Sequence, residues 1–260
     1  MNKKYTWIKQ QPDIRDYNFS KLKTVKTIVP TLPSHITLRQ WCSEVEDQGD
    51  LGSCTANAWA GLLQYNEIKN GRGGALYNDL SRLFLYYNER VIEGTVGEDS
   101  GAQLRSGAKA LATNGICIEK EWPYKINSFK QKPTSQCYTD ALPNVIHSYY
   151  SINTFNDLKT SLANGFPFVF GFTVYESFES QKVADTGVVP MPNLKKEQVL
   201  GGHAVLAIGY NDSQKRFLVK NSWGKNWGLS GTLAGYFTIP YDYLANPNLA
   251  SDFWTCIRDV

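Results

Sequence analysis

A chain of 260 residues is long enough to bury a sizeable core in one or two domains. Its 42% hydrophobic and 20% charged residues, with 7 Trp, 15 Tyr and 12 Phe, exclude a disordered chain, a collagen-like repeat or a coiled coil. The formal net charge of +3, from 27 basic and 24 acidic residues, is too near balance to make nucleic acid the main partner.

Charge is unevenly spread along the chain. The first 33 residues hold Lys3, Lys4, Lys9, Arg15, Lys21, Lys23 and Lys26 against Asp13 and Asp16, a net of +5, which leaves −2 for the rest. Lys9, Gln10, Gln11 and Asp13 stand where a secretory signal would place its apolar stretch, so the expected setting is cytoplasmic, with non-classical secretion left open. Residues 1–33 show little periodicity and close on Val29-Pro30-Thr31-Leu32-Pro33, whose prolines favour extended backbone. They read as an N-terminal extension.

Residues 34–150 read as mainly helical. Ser53 is placed to cap a helix that is apolar nearly all round (Ala56, Ala58, Trp59, Ala60, Leu62, Leu63), with Gly71 as its stop. Ser81 opens a second helix through Leu83-Phe84-Leu85-Tyr86-Tyr87, and Leu104, Ala108 and Leu111 mark a third that Asn114-Gly115 ends. Residues 151–245 change character. One helix is expected after Thr154, with Asp157 as its capping partner and Asn164-Gly165 as its stop. Strands are then expected at Phe166–Tyr175, Ala204–Tyr210, Arg216–Lys220 and Ala234–Ile239. The longest apolar run, Phe166–Tyr175, is about half a bilayer span and contains Pro167 and Gly171, so no membrane segment is expected. Residues 246–260 read as a tail packing back on the body. Helices first and antiparallel strands second predict an α+β fold with a cleft between the halves.

The five cysteines, Cys42, Cys54, Cys117, Cys137 and Cys256, form no CxxC pair and no zinc-spaced cluster. Four of them beside Cys54 leave three full pairings open. Only Cys54 sits at the first turn of an expected helix, in Gly52-Ser53-Cys54, where unpaired N–H groups and the helix dipole favour a thiolate. A buried core thiol is the alternative. Such a nucleophile needs a base, and the chain offers His35, His147 and His203. His203 opens a strand in Gly201-Gly202-His203-Ala204-Val205, where small neighbours leave its ring accessible. Lys220-Asn221-Ser222-Trp223-Gly224 follows, bringing an amide able to hold an imidazole and an indole able to shield that bond. Gln48, six residues before Cys54, supplies an amide of the kind a developing oxyanion requires.

With these pieces in this order, the chain resembles the papain-like cysteine peptidases over about Pro33 to Ile239. The resemblance rests on Gln48-Gly49, Gly52-Ser53-Cys54, His203-Ala204-Val205, Asn221-Ser222-Trp223-Gly224 and Trp227-Gly228. It implies a two-lobed fold and an endopeptidase with Cys54 as nucleophile, His203 as base, Asn221 as orienting amide and Gln48 as oxyanion donor. It also implies a substrate edge at Ser100, Gly101 and Ala102, with Gly202 and Trp223 lining the cleft. The partner is a protein or peptide substrate, with neither nucleic acid nor membrane, and no metal or other cofactor is implied. Leu51 stands where many relatives carry a cysteine, and Thr55 where an aromatic residue is common. These departures suggest a divergent bacterial or viral branch. The basic extension is expected to cover the cleft as an intramolecular inhibitor. An acyltransferase on the same fold and a catalytically silent peptide-binding module are the competing readings.

Overall fold

A computed structural model describes residues 3–22, 31–71 and 78–257. Helix α1 (Cys54–Lys69) is buried along nearly its whole length, as its all-round apolar composition requires. Ser53 takes the capping position without capping; its hydroxyl instead meets the Tyr124 hydroxyl at 2.5 Å. Helix α2 (Arg82–Glu93) runs six residues past the expected apolar stretch, starting on a Ser81 side-chain cap and ending at left-handed Gly94. Helix α3 (Leu104–Asn114) lies across both; the Trp59 indole of α1 donates to the Leu104 carbonyl at 2.9 Å. A short helix α4 (Ser135–Ala141) completes this half.

The other half is an antiparallel sheet of seven strands: β1 (His35–Thr37), β2 (Ser148–Ser151), β3 (Phe168–Tyr175), β4 (Val199–Asn211), β5 (Arg216–Lys220), β6 (Tyr236–Pro240) and β7 (Ala250–Ile257). Their order is β2-β7-β3-β4-β5-β6, with β1 on the far end of β4. Helix α5 (Phe155–Ala163) starts on the Thr154 cap, whose hydroxyl accepts from the Asp157 N–H at 3.1 Å. Helices α6 (Gln181–Thr186) and α7 (Tyr241–Ala245) are short connectors. The fold is α+β, and β4 packs against α1 at the junction of the halves.

The sheet draws on more of the chain than its expected share. The strand β1, before Gln48, pairs with β4, and residues 250–257, expected as a tail, form β7 between β2 and β3. Asp252 hides β7 from a pattern reading: it puts an acidic residue at a positive φ of 59° inside the strand. All five cysteines are buried and none is in a disulfide. Among the described residues no helix is long and apolar enough to cross a membrane.

The extension is not irregular surface chain. Residues 3–22 cross the junction of the halves and continue over the sheet, where the Ser151 N–H donates to the Tyr17 carbonyl at 2.7 Å and Phe19 is fully buried. Arg105 of α3 holds the segment by ion-pairing Asp16 and donating to the Gln11 carbonyl at 2.9 Å. Asp252 accepts from the Gln10 N–H at 2.9 Å, and burial lifts its carboxyl to about 6, more than the neighbouring hydrogen bond and cations pull it down. A raised folded-state value means that the contribution to stability is present below the ordinary 3.8 and is lost as pH rises through about 6. Asp252→Asn keeps the acceptor, tolerates the left-handed backbone and removes the buried charge. Its melting temperature should match wild type near pH 4 and exceed it by several degrees above pH 7, reflecting about 1 to 3 kcal/mol. Parallel curves across that range in a thermal scan would refute the assignment.

Candidate active site

Cys54 is the first residue of α1, where the backbone N–H groups of the opening turn have no helical acceptor. Its thiol lies against the backbone N–H groups of Ala204 and Thr55 and against the Thr6 side chain. His203 stands on β4 opposite Phe172 of β3, one residue before Ala204, so packing of β4 on α1 brings the two halves' chemistry together. The His203 Nε2 is 2.8 Å from the Asn221 oxygen. An amide oxygen accepts, so Nε2 carries the hydrogen; Nδ1 is buried and has no hydrogen-bond partner among the described residues. Trp223 stacks on the ring at 4.9 Å and is itself braced by Trp227 and Phe178, which keeps water from the His203–Asn221 bond.

Gln48 is fixed from both ends. Its Nε2 donates to the Leu51 carbonyl at 2.9 Å, and its oxygen accepts from the Ser222 hydroxyl at 2.6 Å. A carbonyl cannot donate, so the amide nitrogen must face Leu51, and one of its two hydrogens remains unengaged. Its loop is pinned to the Asn221 loop by bridges between Asp47 and Trp223 and between the Gln48 N–H and the Ser222 carbonyl at 2.9 Å. Gln48, Cys54, His203 and Asn221 therefore converge from four separate segments.

Of the expected substrate edge, Gly101 and Ala102 line the cleft, whereas the Ser100 hydroxyl turns to Thr95 at 2.8 Å. Gly202 sits on the facing rim at the start of β4. His35 and His147 are exposed and lie apart from the site. Tyr86 and Arg90, which had no expected role, build the rim together with Asp99, which directly precedes the expected substrate edge. Asp99 accepts from the Gly52 N–H at 2.9 Å and from the Tyr86 hydroxyl at 2.6 Å, and Tyr86 in turn accepts from the Gly101 N–H at 3.1 Å. Arg90, fully buried, donates to the Val96 and Glu98 carbonyls at 2.9 and 3.0 Å and so fixes that loop. The Thr55 hydroxyl donates to the buried Glu89 at 2.7 Å, and burial raises that carboxyl well above its usual range.

The cleft is filled by the extension. Thr6 pairs with Gly202, Trp7 with Ala102, and both bridges are parallel. The Trp7 N–H donates to the Gly202 carbonyl at 2.9 Å and the Ile8 N–H to the Ala102 carbonyl at 3.1 Å. Thr6 lies level with Cys54: its hydroxyl donates to the Gly52 carbonyl at 2.8 Å, and its own carbonyl packs on Gly101, where a Cβ would stand 1.8 Å from it. Tyr5 lies edge-on to His203 and Trp223, and Lys4 pairs with Asp99 at 2.5 Å. So covered, Cys54 and His203 are both fully buried. Desolvation pushes the thiol up to about 11 and the imidazole down to about 4, so each is held in its neutral form.

The α+β fold, with Cys54 opening α1 against β4 and His203 held by Asn221, has the architecture of the thiol-peptidase class. Residues 32–251 match the papain family cysteine protease family, and the chain belongs to it. It is 44% identical to an uncharacterized peptidase C1-like protein of Acanthamoeba polyphaga mimivirus over 98% of this chain and 86% of that protein. Among solved structures it is similar to xylellain, a cysteine protease from Xylella fastidiosa, with 40% identity, a TM-score of 0.88 and coverage of 98% of this chain and 96% of that one. A procathepsin B from Trypanosoma congolense shares the fold at a TM-score of 0.75 and 18% identity, covering 99% of this chain and 87% of its own.

Proposed function

We propose that the chain is a cysteine endopeptidase whose extension holds it inactive until displaced. The single observation that carries the reading is the His203 ring. Asn221 fixes its Nε2, while Nδ1 is left without a partner beside the segment that contacts the Cys54 thiol. Once the extension leaves, water enters, and a proton moving from Sγ to Nδ1 gives a thiolate and an imidazolium. The thiolate adds to the scissile carbonyl, whose developing charge meets the Gln48 amide and the Cys54 N–H. The imidazolium then gives its proton to the leaving amine as the C–N bond breaks. A water that loses its proton to His203 next hydrolyses the thioester and restores the thiol.

Cleavage of internal bonds is supported by the extension itself, which enters as Lys3-Lys4-Tyr5 on one side of Cys54 and leaves as Ile8-Lys9-Gln10 on the other. A cleft that holds chain on both sides has room for a substrate extending both ways. The Thr6 carbonyl of the extension packs on Gly101.

Intact-mass analysis with a thiol-directed epoxysuccinyl peptide tests the proposal. The full-length chain should label slowly, and Trp7→Ala should label at least about tenfold faster, since loss of a buried indole weakens closure by about 2 to 3 kcal/mol. Cys54→Ala should take no label in either background. Equal rates with and without Trp7 would refute inhibition by the extension, and labelling that survives Cys54→Ala would refute the nucleophile.

A further inference from the structure

Cys117 and Cys137 are nucleophilic groups that the peptide chemistry leaves unused, and the fold sets one sulfur against the other. Cys117 lies in a segment fixed to the start of α2, where the Ser81 N–H donates to its carbonyl at 2.9 Å and Leu80 bridges to Ile118. Cys137 shares the buried face of α4 with Ala141, four residues on, while Ser135, Gln136 and Thr139 are exposed. Its Sγ lies 3.2 Å from the Thr134 hydroxyl oxygen and donates to the Glu121 carbonyl at 3.9 Å. The Cys117 thiol in turn hydrogen-bonds the Cys137 sulfur, and the two residues are 0% and 3% exposed. The other thiols have different company. Cys42 donates to the Leu38 carbonyl at 3.6 Å, the Cys256 sulfur accepts from the Asn66 amide at 3.8 Å, and Cys54 lies against the N–H groups of Ala204 and Thr55.

We propose that Cys117 and Cys137 form a redox site: a peroxide joins them in a reversible disulfide that clamps residues 118–136 against the wall of the active site. Helix α4 has seven residues, too few to persist once its packing loosens, so local opening brings Cys137 to solvent first. The Cys137 sulfur attacks one peroxide oxygen, the O–O bond breaks, and the other oxygen leaves as water. The Cys117 sulfur then displaces the hydroxyl of the resulting sulfenic acid, and its thiol proton departs with that hydroxyl as a second water. The two sulfurs are oxidised and the peroxide oxygens are reduced. Burial holds the Cys117 thiol protonated, which makes Cys137 the first to react. The segment between them leans on the catalytic loop. The Trp122 carbonyl accepts from the Ser81 hydroxyl at 2.6 Å, and the Tyr124 hydroxyl donates to the Gln48 carbonyl at 2.9 Å and meets the Ser53 hydroxyl. The Arg82 guanidinium lies over the Tyr124 ring at 4.1 Å. Closing the two ends of the segment restricts the unfolded and locally opened chain, so the wall that supports Gln48 and Ser53 becomes harder to open.

The test uses full-length Cys54→Ala, so that neither the thiol of the active site nor peptide turnover enters the result. The protein is treated briefly with hydrogen peroxide and then denatured in N-ethylmaleimide. Of the four thiols left by the substitution, two should escape labelling. Peptide mapping should find the peptide carrying Cys117 joined to the one carrying Cys137. The melting temperature should rise by about 5 to 10 °C on oxidation and return to its starting value in dithiothreitol. Cys117→Ser and Cys137→Ser in the same background should show no such rise. The mapping is made on the parent and so decides the matter even where a serine variant folds poorly. Retention of all four thiols, a bridge that runs to Cys42 or Cys256, or an oxidised form no more stable than the reduced one overturns the proposal. None of these outcomes bears on the peptidase reading.

Discussion

His203→Ala, placed in the full-length Trp7→Ala background, should slow alkylation of Cys54 by iodoacetamide at pH 7 by at least about 30-fold and reshape its pH profile. With the ring present, the thiolate persists from about pH 5 to pH 8 and the rate is nearly flat. Without it, the rate should climb with pH toward a midpoint at or above about 8.5, where a thiol is ordinarily half ionised. The magnitude follows from what else is available. Holding a thiol at a pKa of about 3 to 4 takes roughly 7 kcal/mol relative to its ordinary value, and the end of α1 supplies only about 0.3 to 2 kcal/mol. A neighbouring imidazolium must provide the remainder. Peptide hydrolysis should fall by a further 10²–10⁴-fold, because the leaving amine also loses its proton donor. His203→Gln, which keeps more of the side-chain volume next to Trp223, guards against a packing artefact. An unchanged pH profile in both variants would remove His203 from the mechanism.

The same reasoning explains why the covered protein does not already contain the ion pair. Both groups are fully buried beneath residues 5–7, and a charge in that environment has lost its water. The backbone N–H groups of Ala204 and Thr55 offset part of the penalty on the thiol, but not enough to bring it down to its ordinary value. Proton transfer from Cys54 to His203 leaves the number of bound protons unchanged, so displacement of the extension should depend little on this pair between about pH 5 and pH 8. Asp252 is then the group expected to give the closure a pH dependence in that interval.

Much of this architecture was legible from local chemistry. The buried helix beginning at Cys54, the Thr154 cap and the strand 216–220 each follow from residue types at short range, whereas the grouping of Cys54, His203, Asn221 and Gln48 was legible only through the resemblance to a known family. What was not legible depends on contacts between distant segments. Asp99 directly precedes the expected substrate edge, and only the fold shows it joining Gly52, Tyr86 and Lys4. Gly171 reads as an interruption in an apolar strand, and its meaning appears only when Trp7, 164 positions earlier, is found against it. The extension lacks periodicity because its backbone is satisfied by single bridges to Gly202, Ala102 and Ser151, one residue at a time. A chain held by isolated bridges needs no repeating pattern of its own.

Gln48→Ala should separate the oxyanion from the thiolate. In the Trp7→Ala background, kcat/KM for a cleaved peptide should drop by about 10²–10³-fold, as for loss of one preorganised donor in other acyl-transfer enzymes. Iodoacetamide alkylation, which passes through no tetrahedral oxyanion, should stay within about threefold of its parent. Ser222→Ala refines the test. It removes the hydroxyl that donates to the Gln48 oxygen at 2.6 Å but leaves the Nε2 contact to the Leu51 carbonyl. The amide then keeps one anchor and loses the other, so peptide turnover should fall by a smaller factor, about 3- to 30-fold, with alkylation again unaffected. The double variant should be little worse than Gln48→Ala alone, because Ser222 acts on the oxyanion only through the amide it orients. If the two losses multiplied instead, Ser222 would have a role of its own. If Gln48→Ala slowed alkylation as much as hydrolysis, its amide would be supporting the thiolate and not the transition state.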